Sequence, residues 1–369
     1  MRLVVTGGHL SPLLSVLESL PKDTNILVIG RKHALEGDRS FSLEYQVLKS
    51  MNVSFESITT GRLQRKITRR TWTSLFKFPY GFLQSLAILK KYKPDAVLTF
   101  GGYVSLPVIL ASFFLRIPVV IHEQTLEAGL TNKIGSIFAK KVCISWESSA
   151  KSFPVKKTVL TGNPLRKEFL KNDISENNNF KNDRKTIYFT GGSLGSHKIN
   201  ELIEGCVEKL LLKFEIIHQT GDAKEYGDFD RLEKLRNSFE SKLKERYTLM
   251  KFVDPKDVVS VFKSSDLIVC RSGINTVSEL IFFKKPCLLI PLPYSSDDEQ
   301  KKNALFVKEL GLGEVADQSD LTSEKLYGII ITMIENIDEY KKNGKDINGI
   351  IKQDAALRIV NVLKTVIKK

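Results

Sequence analysis

The chain has 369 residues, of which 42% are hydrophobic and 27% are charged. This length is enough for two domains of roughly 150 residues each, and the composition excludes a disordered or fibrous protein. The formal charge of +14 indicates an anionic partner, either a nucleic acid or an acidic membrane surface, unless the excess lysine is simply spread over solvated helix faces.

The four cysteines are far apart and form no CxxC pair, which favours a reducing compartment and no zinc or disulfide framework. A signal peptide is not expected, because glycines interrupt the first apolar run. The longest apolar stretch, 106–121, contains Arg116 and Pro118 and is too short to span a bilayer. We therefore expect a soluble protein that can contact a membrane only from its surface.

Strand-like and helix-like patterns alternate in the first half of the chain, up to a polar, asparagine-rich linker at 171–185. Buried parallel strands are predicted at 3–5, 25–29, 96–99, 119–121, 142–144 and 158–160. Helices are predicted between them at 10–20, 74–92, 105–115 and 132–139.

The second half repeats this alternation. Strands are predicted at 187–189, 214–218, 249–253, 267–269 and 287–290, and helices at 196–212, 229–246, 255–262, 275–283 and 300–310. The segment 350–369 has helical spacing and no glycine turn, so it is expected to pack across a domain. The pattern predicts an α/β protein with two Rossmann-like, doubly wound parallel-sheet domains facing a ligand cleft.

Three apolar runs end in turns rich in glycine or serine, and a helical pattern follows each at once, at 6–9, 190–196 and 271–273. Such a turn places backbone N–H groups at the positive end of a helix, where phosphate binds well. One turn alone is what any α/β protein needs to leave a strand. Three of them, in both halves, predict a nucleotide diphosphate site, and the absence of GxGxxG disfavours a dinucleotide.

The segment after Arg271 carries the strongest of these signals. Asn275 and Thr276 open a predicted helix, and Glu279 follows about one turn later. A capping box would explain these residues as structure only. We favour a helix start that binds phosphate while Glu279 accepts hydrogen bonds from ribose hydroxyls.

The other two turns also offer candidate site residues. Gly191, Gly192 and Ser193 suit a phosphate, because glycine permits close approach of the backbone and serine adds a hydroxyl. His9, in the first turn, is a candidate general base.

Asp228 and Asp230 have a spacing that suits a divalent metal, but they open a charged amphipathic stretch. We interpret them as charge at a helix start and predict no metal site.

Residues 62–93 contain no acidic residue. Basic side chains alternate there with aromatic ones, which suits an anionic bilayer or a single-stranded nucleic acid, unless the aromatic residues are the core face of a helix. We favour membrane contact, with these candidates: Arg65, Lys66, Arg69, Arg70, Trp72, Phe76 and Lys77.

The motifs, in this order, resemble the MurG family of GT-B glycosyltransferases. The resemblance covers nearly the whole chain: TGGH (6–9), FGGYVSLP (100–107), HEQ (122–124), GLTNK (129–133), TGNPLR (161–166), GGSLGS (191–196), VDP (253–255), RSGINTVSEL (271–280) and QKKNA (300–304). It implies an inverting, metal-independent transfer of N-acetylglucosamine from UDP-GlcNAc, without a cofactor. The acceptor would be the 4-hydroxyl of undecaprenyl-diphosphate-linked muramoyl-pentapeptide, in peptidoglycan synthesis at the inner face of the cell membrane and without nucleic acid.

The resemblance also implies domains at 1–164 (acceptor) and 165–349 (UDP-sugar), with 350–369 packing back on the first. Thr6, Gly7, Gly8 and His9 would line the acceptor side. On the donor side, Ser193 and the helix start would face the diphosphate, with Arg166 nearby, Glu279 at the ribose, Val253 at the uracil and Gln300 at the sugar. That helix start comprises Ile274, Asn275, Thr276, Val277 and Ser278.

The sequence departs from the family at one site position. Thr125 stands where the family has an asparagine near the sugar, and Asn132 is a candidate to compensate for its amide. Two alternatives stay open: another GT-B transferase that makes a glycolipid, and a non-catalytic UDP-sugar-binding protein at the membrane.

Overall fold

The computed structural model describes residues 1–33, 41–61, 69–170, 184–192, 194–223, 225–254 and 257–367, with the backbone alone at 69–76, 296 and 346. The chain forms two compact units, unit 1 comprising 1–167 with 352–369, and unit 2 comprising 168–351.

In the described part of unit 1, seven parallel strands form one sheet in the order β3-β2-β1-β4-β5-β6-β7. The strands are β1 (Arg2–Thr6), β2 (Asn25–Gly30), β3 (Ser54–Ser57), β4 (Ala96–Thr99), β5 (Val119–Glu123), β6 (Lys141–Ile144) and β7 (Thr158–Leu160). The helices between them are α1 (Leu10–Ser19), α2 (Leu43–Ser50), α3 (Arg69–Tyr92), α4 (Ser105–Phe114) and α5 (Leu130–Phe138). A short helix, α6 (Lys167–Leu170), lies where the two units meet in sequence.

The sheet of unit 2 has six described strands in the order β10-β9-β8-β11-β12-β13. They are β8 (Thr186–Thr190), β9 (Glu215–Gln219), β10 (Tyr247–Met250), β11 (Leu267–Cys270), β12 (Cys287–Leu289) and β13 (Gly313–Val315). The helices are α7 (His197–Glu204), α8 (Val207–Leu211), α9 (Asp228–Ser238), α10 (Ser241–Glu245), α11 (Val258–Ser264), α12 (Ile274–Phe283), α13 (Glu299–Glu309), α14 (Ser323–Glu335) and α15 (Ile337–Asp346).

The chain then returns to unit 1 as α16 (Ala355–Ile367), which packs beside α1. Successive side chains of a strand point to opposite faces, so the sheet of unit 1 has two cores. Leu3 and Val5 pack with Ile359 of α16 on one face. Val4 packs on the other, in the core that also holds Leu89 of α3 and Val108 of α4.

The fold class is confirmed, since both sheets are wholly parallel and doubly wound. In unit 1 the strand order reverses direction between β1 and β4, and in unit 2 between β8 and β11. In open α/β sheets, ligands bind beyond the carboxyl ends of the strands at such a switch point. The three predicted glycine turns follow β1, β8 and β11, so all three lie at switch points.

Several predicted elements were wrong in extent. The helix expected at 196–212 is broken at Gly205 and Cys206 into α7 and α8, and the one expected at 229–246 is divided into α9 and α10. The strand expected at 249–253 runs from Tyr247 to Met250, because the fully buried Tyr247 pairs with Ile216 of β9. Val253 therefore lies beyond the strand.

Helices in the described parts of the chain are either too short or too polar to cross a bilayer.

Candidate functional site

The switch point of unit 1 is formed by two glycine-containing turns in close backbone contact. Gly8 has φ +149°, and a Cβ there would lie 2.7 Å from the carbonyl oxygen of Gly101. Just before this turn, Thr6 is buried at the end of β1, and its Oγ1 donates to Ser105 Oγ over 3.2 Å. The tight approach leaves no room for side chains, so the turn offers backbone groups at the sheet edge.

His9 stands at the end of this turn as the N-cap residue of α1, without a side-chain capping bond. The ring is half-buried, and desolvation lowers its pKa from 6.5 to about 4. The imidazole is consequently neutral at physiological pH, which is the state that a general base needs.

His122, at the end of β5, was quoted only as part of a motif and was not predicted as a site residue. Burial, with a smaller contribution from the nearby His9, lowers its pKa to about 4 against the opposing effect of the hydrogen bond to Gly162. Its Nε2 lies 3.2 Å from the carbonyl oxygen of Gly162. A carbonyl only accepts, so Nε2 carries the proton and Nδ1 is a bare acceptor.

Glu123 follows His122 and holds the adjoining loop together. Its Oε1 accepts from Thr125 Oγ1 over 2.6 Å and from Thr125 N over 3.0 Å. Its Oε2 accepts from Gly129 N over 2.9 Å and from Asn132 Nδ2 over 3.0 Å. The structure thus buries Thr125, and its hydroxyl donates a hydrogen bond within unit 1.

Three buried polar atoms near this edge have no hydrogen-bond partner within the described residues: His122 Nδ1, Gln124 Oε1 and Asn132 Oδ1. Asn132 also lies against the turn after β4, since a Cβ on Gly101 would sit 3.1 Å from its amide nitrogen. Unsatisfied buried acceptors cost free energy unless a ligand or water supplies donors. Hydroxyl-rich ligands such as sugars supply such donors.

In unit 2, the turn after β8 packs directly on the turn after β9. A Cβ on Gly195, where φ is +77°, would lie 2.1 Å from the carbonyl oxygen of Thr220. Gly191 folds back on the start of α7, where Ser196 is the N-cap residue and its side chain makes no capping bond. The first N–H groups of an α-helix have no partner within the helix, so this turn can bind an anion.

Arg271, directly after β11, belongs to the RSGINTVSEL motif but is not among the predicted site residues. Its guanidinium donates to Ser196 Oγ over 2.7 Å, to Gln318 Oε1 over 2.6 Å and to the carbonyl oxygen of Ile290 over 3.0 Å. Burial lowers its pKa to about 10, so it stays protonated at neutral pH. Among the described residues no carboxylate pairs with it, and its positive charge favours an anionic ligand beside the start of α7.

The start of α12 does not form the capping box that was the structural alternative for these residues. Gly273 is the N-cap residue and supplies no side-chain bond, and Asn275 and Thr276 lie in the first turn. The side chains of Ile274, Val277 and Ser278 are buried, and Ser278 Oγ donates to the carbonyl oxygen of Ile274 over 2.8 Å. Ile274, Asn275 and Thr276 are the first three residues of the helix, so their backbone N–H groups have no acceptor within it and can bind a ligand. Glu279 is buried one turn further along.

Gln300 and Asn303 bind the turn at Ser272 to α13. Ser272 Oγ donates to the carbonyl oxygen of Gln300 over 2.7 Å, and Asn303 Nδ2 donates to the carbonyl oxygen of Ser272 over 3.0 Å. Gln300 Oε1 accepts from Leu292 N over 3.0 Å. Asn303 Oδ1 is buried and has no partner among the described residues.

Asp228 and Asp230 lie in the first turn of α9. Asp228 accepts from His197 Nδ1, Asn200 Nδ2 and Arg231, each over 2.8 Å. Its pKa is lowered despite the opposing effect of burial, because these donors favour the charged form. This carboxylate therefore ties α9 to α7.

The remaining predicted site residues are distributed as follows. Arg166 is half-buried in unit 1, and Val253 is buried in unit 2. Ser193, Arg65 and Lys66 lie outside the described residues, as do the side chains of Arg69, Arg70, Trp72 and Phe76. Lys77 is half-buried on α3.

An exposed apolar patch lies on α3, α4 and α5. The ring centroid of Phe114 lies 5.7 Å from that of Phe82, and Phe113 lies 5.2 Å from Phe138. The patch consists of Tyr80, Leu83, Phe113, Phe114 and Ile137, and Phe114 is 69% exposed. Exposed apolar side chains on three packed helices are typical of an interaction site.

Two family models match the chain. The glycosyltransferase family 28 N-terminal domain matches residues 4–144, and the family 28 C-terminal domain matches residues 186–359. The matches fall in unit 1 and largely in unit 2, respectively.

Similar proteins share one printed name, UDP-N-acetylglucosamine–N-acetylmuramyl-(pentapeptide) pyrophosphoryl-undecaprenol N-acetylglucosamine transferase. The protein from Geobacter metallireducens is 34% identical over 99% of this chain and 98% of its own length. That from Clostridium perfringens is 32% identical over 95% of this chain and 96% of its own length. The crystal structure of Acinetobacter baumannii MurG has a TM-score of 0.74 at 25% identity and covers 99% of both chains.

Proposed function

Because the chain belongs to the MurG family of glycosyltransferases, we infer that it transfers N-acetylglucosamine from UDP-GlcNAc to undecaprenyl-diphosphate-linked N-acetylmuramoyl-pentapeptide. The product is lipid II, the precursor of peptidoglycan. The observation that carries this conclusion is 34% identity to a transferase of this name over 99% of the chain, which includes both units. Neither a different glycolipid transferase nor a non-catalytic binding protein is favoured.

On the donor side, we propose that unit 2 binds UDP. The N–H groups at the starts of α7 and α12 and the guanidinium of Arg271 supply positive potential for the diphosphate. As the bond between the anomeric carbon and the diphosphate oxygen breaks, charge accumulates on UDP, and these fixed groups stabilise it without rearrangement. Glu279 accepts hydrogen bonds from the ribose hydroxyls, and Gln300 contacts the sugar.

On the acceptor side, the muramoyl 4-hydroxyl attacks the anomeric carbon, and its proton passes to the neutral imidazole of His9. The bond forms opposite the leaving UDP, so the configuration at that carbon inverts. The buried Asn132 Oδ1 supports the proposal that Asn132 provides the amide that Thr125 lacks, because this oxygen has no partner among the described residues.

The transferase activity is tested by incubating the protein with UDP-GlcNAc and the lipid-linked muramoyl-pentapeptide. We expect release of one UDP for each disaccharide formed and a β-linkage in the product, measured by coupled assay and NMR. UDP-glucose and UDP-GalNAc serve as competing donors. Turnover of either one without turnover of UDP-GlcNAc would reject the proposed donor.

We further propose that the apolar patch on α3, α4 and α5 contacts the inner face of the cell membrane, where the lipid acceptor resides. Exposed Lys133, one turn before Ile137 on α5, and exposed Arg116, just after α4, flank the patch. Cations beside apolar side chains favour an anionic lipid surface, and each charge near it contributes about 1 kcal/mol.

The double variant Phe113→Ser/Phe114→Ser should bind anionic phospholipid vesicles about tenfold or more weakly, because two exposed rings no longer enter the interface. Leu357→Ser is the matched control, since Leu357 is 55% exposed on α16, which packs on the other face of the sheet. Vesicle co-sedimentation measures the effect. Equal binding of the wild type and the double variant would show that the patch does not contact the membrane. Turnover of a water-soluble acceptor should remain unchanged.

A further inference from the structure

Gln219 lies at the donor site but belongs to none of the predicted motifs. It is the last residue of β9, beside β8 at the carboxyl edge of the sheet of unit 2, and its side chain is 8% exposed. An isolated glutamine at a strand end carries no sequence signal, so only its contacts show what it can do.

Both ends of the Gln219 side-chain amide are used. Nε2 donates to the carbonyl oxygen of Gly192 over 3.0 Å, and Oε1 accepts from the hydroxyl of Tyr188 over 2.9 Å. Val253 N also donates to Oε1, over a longer 3.4 Å. Because a carbonyl can only accept and a backbone N–H can only donate, these contacts fix the orientation of the amide.

These partners belong to two different parts of the donor site. Gly192 lies in the turn that is proposed to bind the diphosphate, and its φ of +83° is a conformation that few residues adopt. Val253 lies beyond β10, in the segment proposed to meet the uracil. The Gln219 amide therefore connects the two segments that must contact opposite ends of UDP.

The backbone beyond Gln219 reinforces this connection. Thr220 and Gly221 pack against Gly195 so closely that a Cβ on Gly221 would lie 2.4 Å from Gly195 N. The phosphate-binding turn is thus held by backbone contact at its far end and by the Gln219 amide at Gly192. Gly195 N also donates to the Gly192 carbonyl over 3.1 Å, but this bond lies within the turn. Without the amide, only the contact at Gly195 ties the turn to the segment after β9.

We propose that Gln219 is a positioning residue of the donor site, which holds the phosphate-binding turn and the uracil-binding segment at the separation that UDP requires. The proposal rests on the proposed binding of UDP by unit 2. The side chain acts through Gly192 and Val253. Because it holds the turn in place before UDP binds, none of the binding free energy is lost in ordering the turn.

Gln219→Leu should weaken UDP binding about 10- to 100-fold, because the Gly192 carbonyl keeps only the bond from Gly195 N within its own turn and the Val253 N–H loses its acceptor. Gln219→Glu keeps the acceptor for Val253 N but places a carboxylate oxygen against the Gly192 carbonyl. We therefore expect it to lower affinity for UDP strongly and for uridine only slightly. In turnover, both variants should raise KM for UDP-GlcNAc and leave kcat and the KM of the lipid acceptor within about threefold.

Isothermal titration with uridine, UMP and UDP measures these affinities, and thermal unfolding checks the fold. Gln46→Leu is the matched control, because exposed Gln46 makes the same kind of amide bond to a backbone carbonyl, that of Phe41, in unit 1. If Gln219→Leu does not fold, Gln219→Asn is the second variant: it keeps the amide, shortens its reach by one methylene and should still weaken UDP binding.

Unchanged UDP affinity in a folded Gln219 variant would overturn the proposal. In Gln219→Glu, an equal loss for uridine, UMP and UDP with a lower Tm would also overturn it, because this is what a general structural role produces. Failure of the wild-type protein to bind UDP would instead reject the proposed donor site, whatever the variants do.

Discussion

His9→Ala should lower kcat by roughly 10²- to 10⁴-fold, the range typical of losing a general base, and leave UDP affinity within about twofold. The two effects separate because His9 belongs to unit 1, whereas the groups proposed to bind UDP belong to unit 2. His33→Ala is the matched control, since His33 is an exposed histidine of the same unit. Full turnover by His9→Ala would show that another group removes the proton.

The same residue sets an expectation for pH dependence. A base must be neutral, and burial has lowered the pKa of His9 to about 4. As the pH falls, kcat/KM should therefore remain constant through 6.5, the ordinary histidine pKa, and decline only near the lowered value. The wild-type profile, recorded over the range in which the protein stays folded, checks this. A decline centred near the ordinary pKa would contradict the assignment.

Glu279→Ala should weaken UDP binding about 100-fold, because in its proposed role this buried carboxylate would lose strong hydrogen bonds with the two ribose hydroxyls. Isothermal titration measures the change. Glu309→Ala is the control, since Glu309 is exposed near the end of α13.

A modified ligand makes this test specific. Wild type should bind 2′-deoxy-UDP more weakly than UDP, whereas Glu279→Ala should bind the two ligands almost equally. If the carboxylate and the 2′-hydroxyl interact, removing one of them abolishes the effect of removing the other, as in a double-mutant cycle. If the variant still discriminates between them as wild type does, Glu279 does not contact the ribose.

The central strands could be predicted from the sequence, because strands buried on both faces appear as continuous apolar runs. Strands β1, β4 and β11 are all of this kind. The edge strands β3 and β13 were missed because neither contains a continuous apolar run: Ser54–Ser57 is mostly polar, and the short strand Gly313–Val315 has a glutamate at its centre. Helix ends were less predictable, since Gly205 interrupts a pattern that is otherwise helical from 197 to 211.

The glycine turns could be predicted because phosphate binding requires small residues at fixed places after a strand. The roles of Gln219 and Arg271 could not. Gln219 contacts Gly192 and Val253, at sequence separations of 27 and 34, and Arg271 contacts Ser196 at a separation of 75. Contacts of this kind depend on strand order, which periodicity does not reveal. The roles proposed for His9 and Glu279 remain predictions.

The placement of α16 has a consequence for biosynthesis. Its Ile359 and Leu363 complete the core beside α1, yet they leave the ribosome only after the whole of unit 2. At roughly 5–20 residues per second, α16 is synthesised on the order of ten seconds or more after the rest of unit 1. Unit 2 can fold before unit 1 is complete, so a premature stop near residue 350 should spare the nucleotide binding proposed for unit 2 and expose the incomplete apolar core of unit 1 to chaperones and proteases.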